Sequence, residues 1–146
     1  MRLVVDSSVI VAELLRVSGR ARLADPRLDL FIADHVWSEI HHEIPKRVAA
    51  FSRRHNLPDE SANELVSLIF ATIEATAVIM PEVVYSPVED DARWRCVRDA
   101  DDWPSVALAL TVDAAIWTED GDFLGTGVAT WSTTTITTWL ARQAEP

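Results

Sequence analysis

Apolar residues along the chain occur either in short unbroken runs or in a repeat of every three or four positions. Short runs of this kind are typical of strands in a sheet that is covered on both faces. We therefore predict five strands, at Leu3–Val5, Leu28–Asp34, Ala77–Pro81, Ala114–Thr118 and Val128–Trp131.

Helical periodicity fills the intervals between these runs. Apolar residues recur every four positions over His35–His55, a predicted helix that Pro45 should kink. A second long helix, Leu57–Ala75, has acidic residues in its first turn, and the two should form an antiparallel helical arm. Shorter helices are predicted at Ser8–Arg16, just before Asp25, at Pro87–Asp99, at Asp101–Asp113 and, capped by Ser132, at Ser132–Gln143.

Strands and helices thus alternate from one end of the chain to the other. This order predicts an α/β layer fold with a mostly parallel sheet. No linker or repeat interrupts it, and a chain of 146 residues with 49% hydrophobic residues is expected to be a single domain, 1–146.

Composition narrows the possible functions. No stretch approaches the roughly 18 apolar residues of a membrane span, and polar residues near the N-terminus disfavour a signal peptide. A single cysteine excludes an internal disulfide, so we expect a cytoplasmic protein. The net charge of −10 disfavours unspecific nucleic-acid binding, although an acidic cluster that binds a divalent metal would explain part of it.

Several acidic residues fall where predicted strands end, which is where open parallel sheets place their sites. Asp6 follows the first strand; Asp34 ends the second, with Glu39 about one turn beyond it. Asp120 and Asp122 follow the fourth strand. Three more aspartates, Asp99, Asp101 and Asp102, precede the helix that leads to that strand.

Each acid also has a purely structural interpretation. Asp6 could cap the following helix, and Glu39 could be a solvated helix residue. One aspartate of the 99–102 group should be a cap. The segment from Glu119 to Asp122 has the composition of a turn around Gly121.

Four motifs together resemble the PIN-domain ribonuclease family, which includes the toxins of many bacterial toxin–antitoxin pairs. They are "VVDSSVI", "WSEI", "DADDWPSVALAL" and "IWTEDGDF", and they cover nearly the whole chain in the family's order. In that pattern an alanine pair, here Ala107 and Ala109, follows the metal-binding aspartate by five and seven residues, which selects Asp102. Asp101 is then the better candidate for the helix cap.

The resemblance implies a three-layer α/β/α fold with sheet order 3-2-1-4-5. It also implies an RNA-cleaving site in which Asp6, Glu39, Asp102 and Asp120, joined by Asp122, hold Mg²⁺ or Mn²⁺. Hard oxygen ligands suit these ions, which would also neutralise the repulsion among the carboxylates. Ser8 and Thr118 would orient the carboxylates, a small antitoxin protein would dock on the helical arm, and we expect a homodimer.

Two other functions compete with this one. Glu119 stands where many family members carry a basic residue, which, with the net charge, favours a non-catalytic PIN-like module that binds a protein partner. A phosphatase of the haloacid-dehalogenase type also begins with a strand and an aspartate, but it requires a second aspartate where this chain has Ser8.

Aromatic residues and the single cysteine are assigned to the core. The six tryptophans could stack on bases, but the positions of Trp117 and Trp131 within predicted strands favour core packing for the set. Cys96 is expected to be a small buried hydrophobic residue.

Overall fold

A five-stranded sheet with helices around it forms the centre of the computed structural model, which describes residues 1–143. Its strands are β1 (Arg2–Val5), β2 (Asp29–Ala33), β3 (Ala77–Met80), β4 (Ala115–Trp117) and β5 (Thr130–Trp131). All neighbouring strands run parallel, in the order β3-β2-β1-β4-β5. The predicted fold class and strand order are confirmed.

Within the described residues, seven helices lie between the strands and an eighth follows β5. They are α1 (Ser7–Leu14), α2 (Val17–Leu23), α3 (Asp34–His55), α4 (Asp59–Thr76), α5 (Glu82–Tyr85), α6 (Glu89–Arg95), α7 (Trp103–Val112) and α8 (Thr133–Arg142). Short 3₁₀ turns lie at Ser86–Val88, Ala100–Asp102 and Gly121–Phe123. The predicted arm corresponds to α3 and α4, which pack together, and α3 continues through Pro45 without a break.

The core lies on both sides of β1 and along α7. Leu3, Val4 and Val5 are at most 1% exposed. Helix α7 packs on β1, β2 and β4 and is covered in turn by α5 and α6, so Val106 to Ala109 are buried on every side. Its small residues Ala107 and Ala109 allow this close approach to the sheet. The start of α7 is thereby fixed near the ends of β1 and β4.

Two predicted helix boundaries near the site are wrong. Helix α6 ends at Arg95 rather than at Asp99, because Cys96 leaves the helical conformation and its side chain enters the core, 6% exposed. Cys96 is therefore the buried residue expected. The cap of the next turn is Asp99 and not Asp101: the Asp99 carboxylate accepts a hydrogen bond of 2.9 Å from the Asp101 backbone N–H.

Helix α5 was not predicted, and its position explains Asp34. The Asp34 carboxylate accepts a 2.9 Å bond from the Glu82 backbone N–H and a 2.5 Å bond from the Tyr85 hydroxyl. Burial, together with the hydrogen bond to Asp34, raises the pKa of the Tyr85 hydroxyl. Asp34 thus joins α3 to α5 and has a structural role.

Candidate functional site

Asp6 lies at the carboxyl end of β1 and is only 8% exposed. Its backbone N–H donates to the Trp117 carbonyl at 3.1 Å, which ties it to the end of β4. The Ser8 hydroxyl donates to Asp6 Oδ2 at 2.5 Å, and the Thr118 hydroxyl donates to the same oxygen at 3.1 Å. Asp6 occupies the N-cap position of α1, but its carboxylate makes no capping bond to that helix, so capping does not account for this side chain.

Asp102 ends the 3₁₀ turn before α7 and is partly buried. Its carboxyl pKa is raised from 3.8 to about 7 by burial, the largest cause, and by the negative charges of Asp99, Asp6, Asp120 and Asp122, in that order. Opposite charges within reach would have the reverse effect. Carboxylates from three separate segments, those after β1, before α7 and after β4, thus lie at one edge of the sheet.

Asp120 and Asp122 lie on the turn after β4. The Thr118 hydroxyl oxygen accepts from the Asp120 N–H at 2.9 Å, and Asp120 Oδ1 accepts from the Asp122 N–H at 2.9 Å. Thr118 thus contacts both Asp6 and Asp120, and one hydroxyl connects the ends of β1 and β4. This chain of hydrogen bonds fixes two carboxylates relative to each other.

Glu39 contacts a different set of residues from these aspartates. Its side chain is 55% exposed on α3 and faces the His35 imidazole, with Oε1 and Nε2 separated by 3.7 Å. It lines a cleft of about 890 Å³ between α1 and α3, which also includes Ser7 and Ser8. Ser8 is therefore the link between the Glu39 cleft and Asp6, whereas Glu39 is absent from the groups that raise the pKa of Asp102.

The carboxylates are suitable ligands for a divalent metal ion, but their side-chain positions do not form a closed metal site. Five carboxylates that repel one another are the hard oxygen donors that Mg²⁺ and Mn²⁺ prefer. Among residues 1–143, however, no three His, Cys, Asp or Glu side chains are close enough as they stand to hold an ion. The donor set of Asp6, Asp102 and Asp120 fits a divalent cation, and closing it around the ion requires side-chain movement.

At this edge Arg98 had no predicted role, and Asp99 was predicted only as one of three candidate acids before α7. Arg98 Nη1 lies 3.4 Å from the Gly121 carbonyl and 3.5 Å from Asp122 Oδ1, and its side chain is 62% exposed. Asp99 makes the largest charge contribution to the pKa of Asp102. The sequence signal for Arg98 is its position directly before the acid motif, and Asp99 is the first residue of that motif.

Comparison with known proteins identifies the family of the chain. A family model described as the PIN domain matches residues 4–141. The chain belongs to the PIN-domain family. Members of this family are typically metal-dependent nucleases.

Comparisons of sequence and fold with individual proteins complete the assignment. The crystal structure of PAE2754 from Pyrobaculum aerophilum superimposes on this PIN domain with a TM-score of 0.67. It shares 16% identity, and the match covers 98% of this chain and 91% of that one, which shows a common fold. No curated protein matches the sequence. Within the described part of the chain, no helix has the length and apolar character needed to cross a bilayer.

Proposed function

We propose that this PIN domain is an endoribonuclease that depends on Mg²⁺ or Mn²⁺ and acts in the cytoplasm as the toxin of a toxin–antitoxin pair. The observation that supports it most is the position of the partly buried Asp102 near Asp6, Asp99, Asp120 and Asp122 at one edge of the sheet, where burial and their charges raise its pKa. Such an arrangement is unfavourable without a cation and is typical of functional sites.

Asp6, Asp102 and Asp120 would hold the cation, with Asp122 and Glu39 as further ligands after side-chain movement. A bound divalent ion supplies Lewis acidity toward a phosphate oxygen and lowers the pKa of an attacking water. Ser8 and Thr118 keep Oδ2 of Asp6 oriented through their hydrogen bonds. Asp102 would lose its proton when the cation binds, so metal affinity should rise with pH up to about 7.

The partner proposed with this function is a small antitoxin that binds the helical arm. The cleft between α1 and α3 presents the partly exposed apolar residues Val11 and Leu15 beside Glu39 and Glu43. Such a surface suits an amphipathic segment that carries a basic residue. We also propose that the protein forms a homodimer, through a surface other than the arm that the antitoxin would occupy. Co-purification with the product of an adjacent small gene would support the antitoxin, and dimerisation through the arm without a small partner would contradict it.

A non-catalytic role as a partner-binding module has one structural observation in its favour. Glu39 is exposed and outside the group of mutually repelling aspartates, so the complete ligand set is not preassembled in residues 1–143. Cleavage of a mixed RNA pool in the presence of Mn²⁺ distinguishes the nuclease from the partner-binding module.

If the protein is a nuclease, it should cleave the pool, and EDTA should abolish the cleavage. The Asp6→Asn variant should not cleave. The matched variant Asp25→Asn, which changes an acid remote from the site, should cleave as the wild type does. Wild-type protein that leaves the pool intact in Mg²⁺ and in Mn²⁺ would support the partner-binding module instead.

A further inference from the structure

Trp94 contradicts the prediction that the tryptophans form the core. It is 79% exposed, whereas Trp117 is fully buried and Trp103 is 7% exposed. The opposite side of α6 is occupied, since Ala92 is fully buried and the Arg93 guanidinium stacks on the Trp103 ring at 4.9 Å. Trp94 is therefore directed outward by the packing of its own helix.

A second exposed apolar residue lies in the same cleft as Trp94: Val97 is 86% exposed. Between α6 and the loop after the Gly121–Phe123 turn lies a cleft of about 310 Å³, lined by Trp94, Arg95, Val97, Gly125, Thr126 and Gly127. This group of residues is called the Trp94 cleft below.

The walls of the Trp94 cleft are held in place by Arg95. Its Nε donates to Asp91 Oδ2 at 2.9 Å, and its Nη1 donates to the Thr126 carbonyl at 3.1 Å. Gly127 has a φ of +78°, and a Cβ atom there would lie 2.8 Å from Arg95 Nη1. The loop is thus shaped around the arginine, and the exposed ring of Trp94 stands beside a fixed wall.

The segment that carries Trp94 continues directly into the carboxylate edge. Asp99 is five residues further along, so its Cα lies at most about 18 Å from that of Trp94. Arg98, between them, contacts the Gly121 carbonyl and Asp122 at 3.4 and 3.5 Å, long contacts that leave its guanidinium open to a stronger partner. An aromatic face, a guanidinium and the site thus follow one another within one segment.

We propose that the Trp94 cleft and Arg98 form a subsite for single-stranded RNA, in which a base stacks on Trp94 and a phosphate binds Arg98. The inference rests on the proposed nuclease function, because it places an unpaired strand beside the carboxylates. With a net charge of −10, the protein has little general attraction for a polyanion, so stacking and one local cation have to supply substrate binding.

The test measures fluorescence anisotropy of a labelled, unstructured RNA of about 12 nucleotides, a length within single-strand site sizes. Full-length protein is titrated in EDTA and, separately, in Ca²⁺, with size-exclusion light scattering and thermal melts on every variant. Trp94→Ala should weaken binding about tenfold or more, the effect of losing one stacked base. Trp94→Phe keeps an aromatic face and should restore most of it.

Two further variants separate charge and exposure from stacking. Arg98→Gln should weaken binding and reduce the dependence of log affinity on log salt by about one. Val83→Ala changes a residue that is 76% exposed on α5, outside the subsite, and should bind as the wild type does. Single-stranded DNA of the same sequence distinguishes a ribose-specific subsite from one that reads only bases and phosphates.

Failure of the subsite and failure of the nuclease give different results. If Mn²⁺-dependent cleavage occurs and Trp94→Ala leaves KM unchanged, the subsite is refuted and the nuclease stands. If RNA binding depends on Trp94 but no RNA is cleaved, the subsite stands and the nuclease fails. Dissociation of an oligomer by Trp94→Ala, with RNA affinity unchanged, would show that the cleft contacts a second copy of the chain and would overturn the proposal.

Discussion

Replacing Asp102 by Asn should stabilise the metal-free protein at pH 8. Burial and four neighbouring carboxylates raise the pKa of Asp102 from 3.8 to about 7. In the wild type, folding therefore brings a negative charge into a site that disfavours it. Asparagine keeps the shape of the side chain and removes the charge.

The magnitude follows from the difference between the two pKa values. A difference of that size corresponds to about 4 kcal/mol in a site sealed from water. Asp102 is only partly buried, and solvent screens part of the repulsion, so we expect a gain of about 2 kcal/mol. For a chain of this length that gain raises the melting temperature by about 5 °C.

The sign of the pH dependence is fixed by the direction of the shift. A carboxyl whose folded pKa is raised contributes stability that is present below its unfolded pKa and is lost as pH rises through the folded pKa. Wild-type stability should thus fall between about pH 4 and pH 7 relative to Asp102→Asn. The gain from the substitution should be near zero at the acidic end and complete at pH 8.

Urea unfolding in EDTA at pH 4.5 and pH 8 measures this gain. Asp101→Asn is the matched control, because Asp101 is the exposed neighbour and is absent from the groups that act on Asp102. Equal destabilisation by both substitutions at pH 8, or a gain from Asp102→Asn that does not change with pH, would refute the proposed repulsion.

Three other outcomes are expected from the same structure. Millimolar Mn²⁺ should raise the melting temperature at neutral pH, by the equivalent of about 2.7 kcal/mol at 100 times Kd; a scan unchanged by Mn²⁺ and EDTA would count against the metal. Glu13→Ala should cost about 3 kcal/mol in urea unfolding, because it leaves Arg22, whose side chain is 16% exposed, without its buried partner; Glu43→Ala, at an exposed pair, should cost less than about 1 kcal/mol. Gly19→Ala should destabilise strongly, because its Cβ would lie 2.1 Å from the Glu13 carbonyl oxygen; a melting temperature equal to the wild type would show that α1 and α2 separate easily.

The strands and the acids at their ends were predictable because both depend on local patterns. Short apolar runs place β1 and β4 in a covered parallel sheet, and the chain then has to leave each strand at the same edge. Asp6, Asp120 and Asp122 follow from that geometry alone. The pairing of β1 with β4 brings Thr118 to within 3.1 Å of Asp6 across a separation of 112 residues.

Details set by tertiary packing were not predictable. The helical pattern of 87–99 continues past Arg95, but Cys96 turns into the core and ends α6 there. Asp99 and Asp101 have the same side chain, and only the backbone conformation before the 3₁₀ turn decides that Asp99 caps it. The exposure of Trp94 likewise depends on which side of a short helix meets α7.

Glu119 shows how a residue that suggests one function in the sequence acquires a different explanation in the structure. As an acid where many relatives have a base, it favoured a module without RNA affinity. Its carboxylate accepts a 2.7 Å hydrogen bond from the Thr133 N–H and so satisfies a free donor at the start of α8. Helix capping accounts for this acid, and Arg98 supplies a positive charge beside the same turn.

Five of the 23 acidic residues are the aspartates that interact around Asp102. The acidity of the chain is therefore concentrated partly at the site itself, where a cation would neutralise it, and it does not by itself argue against RNA as the substrate.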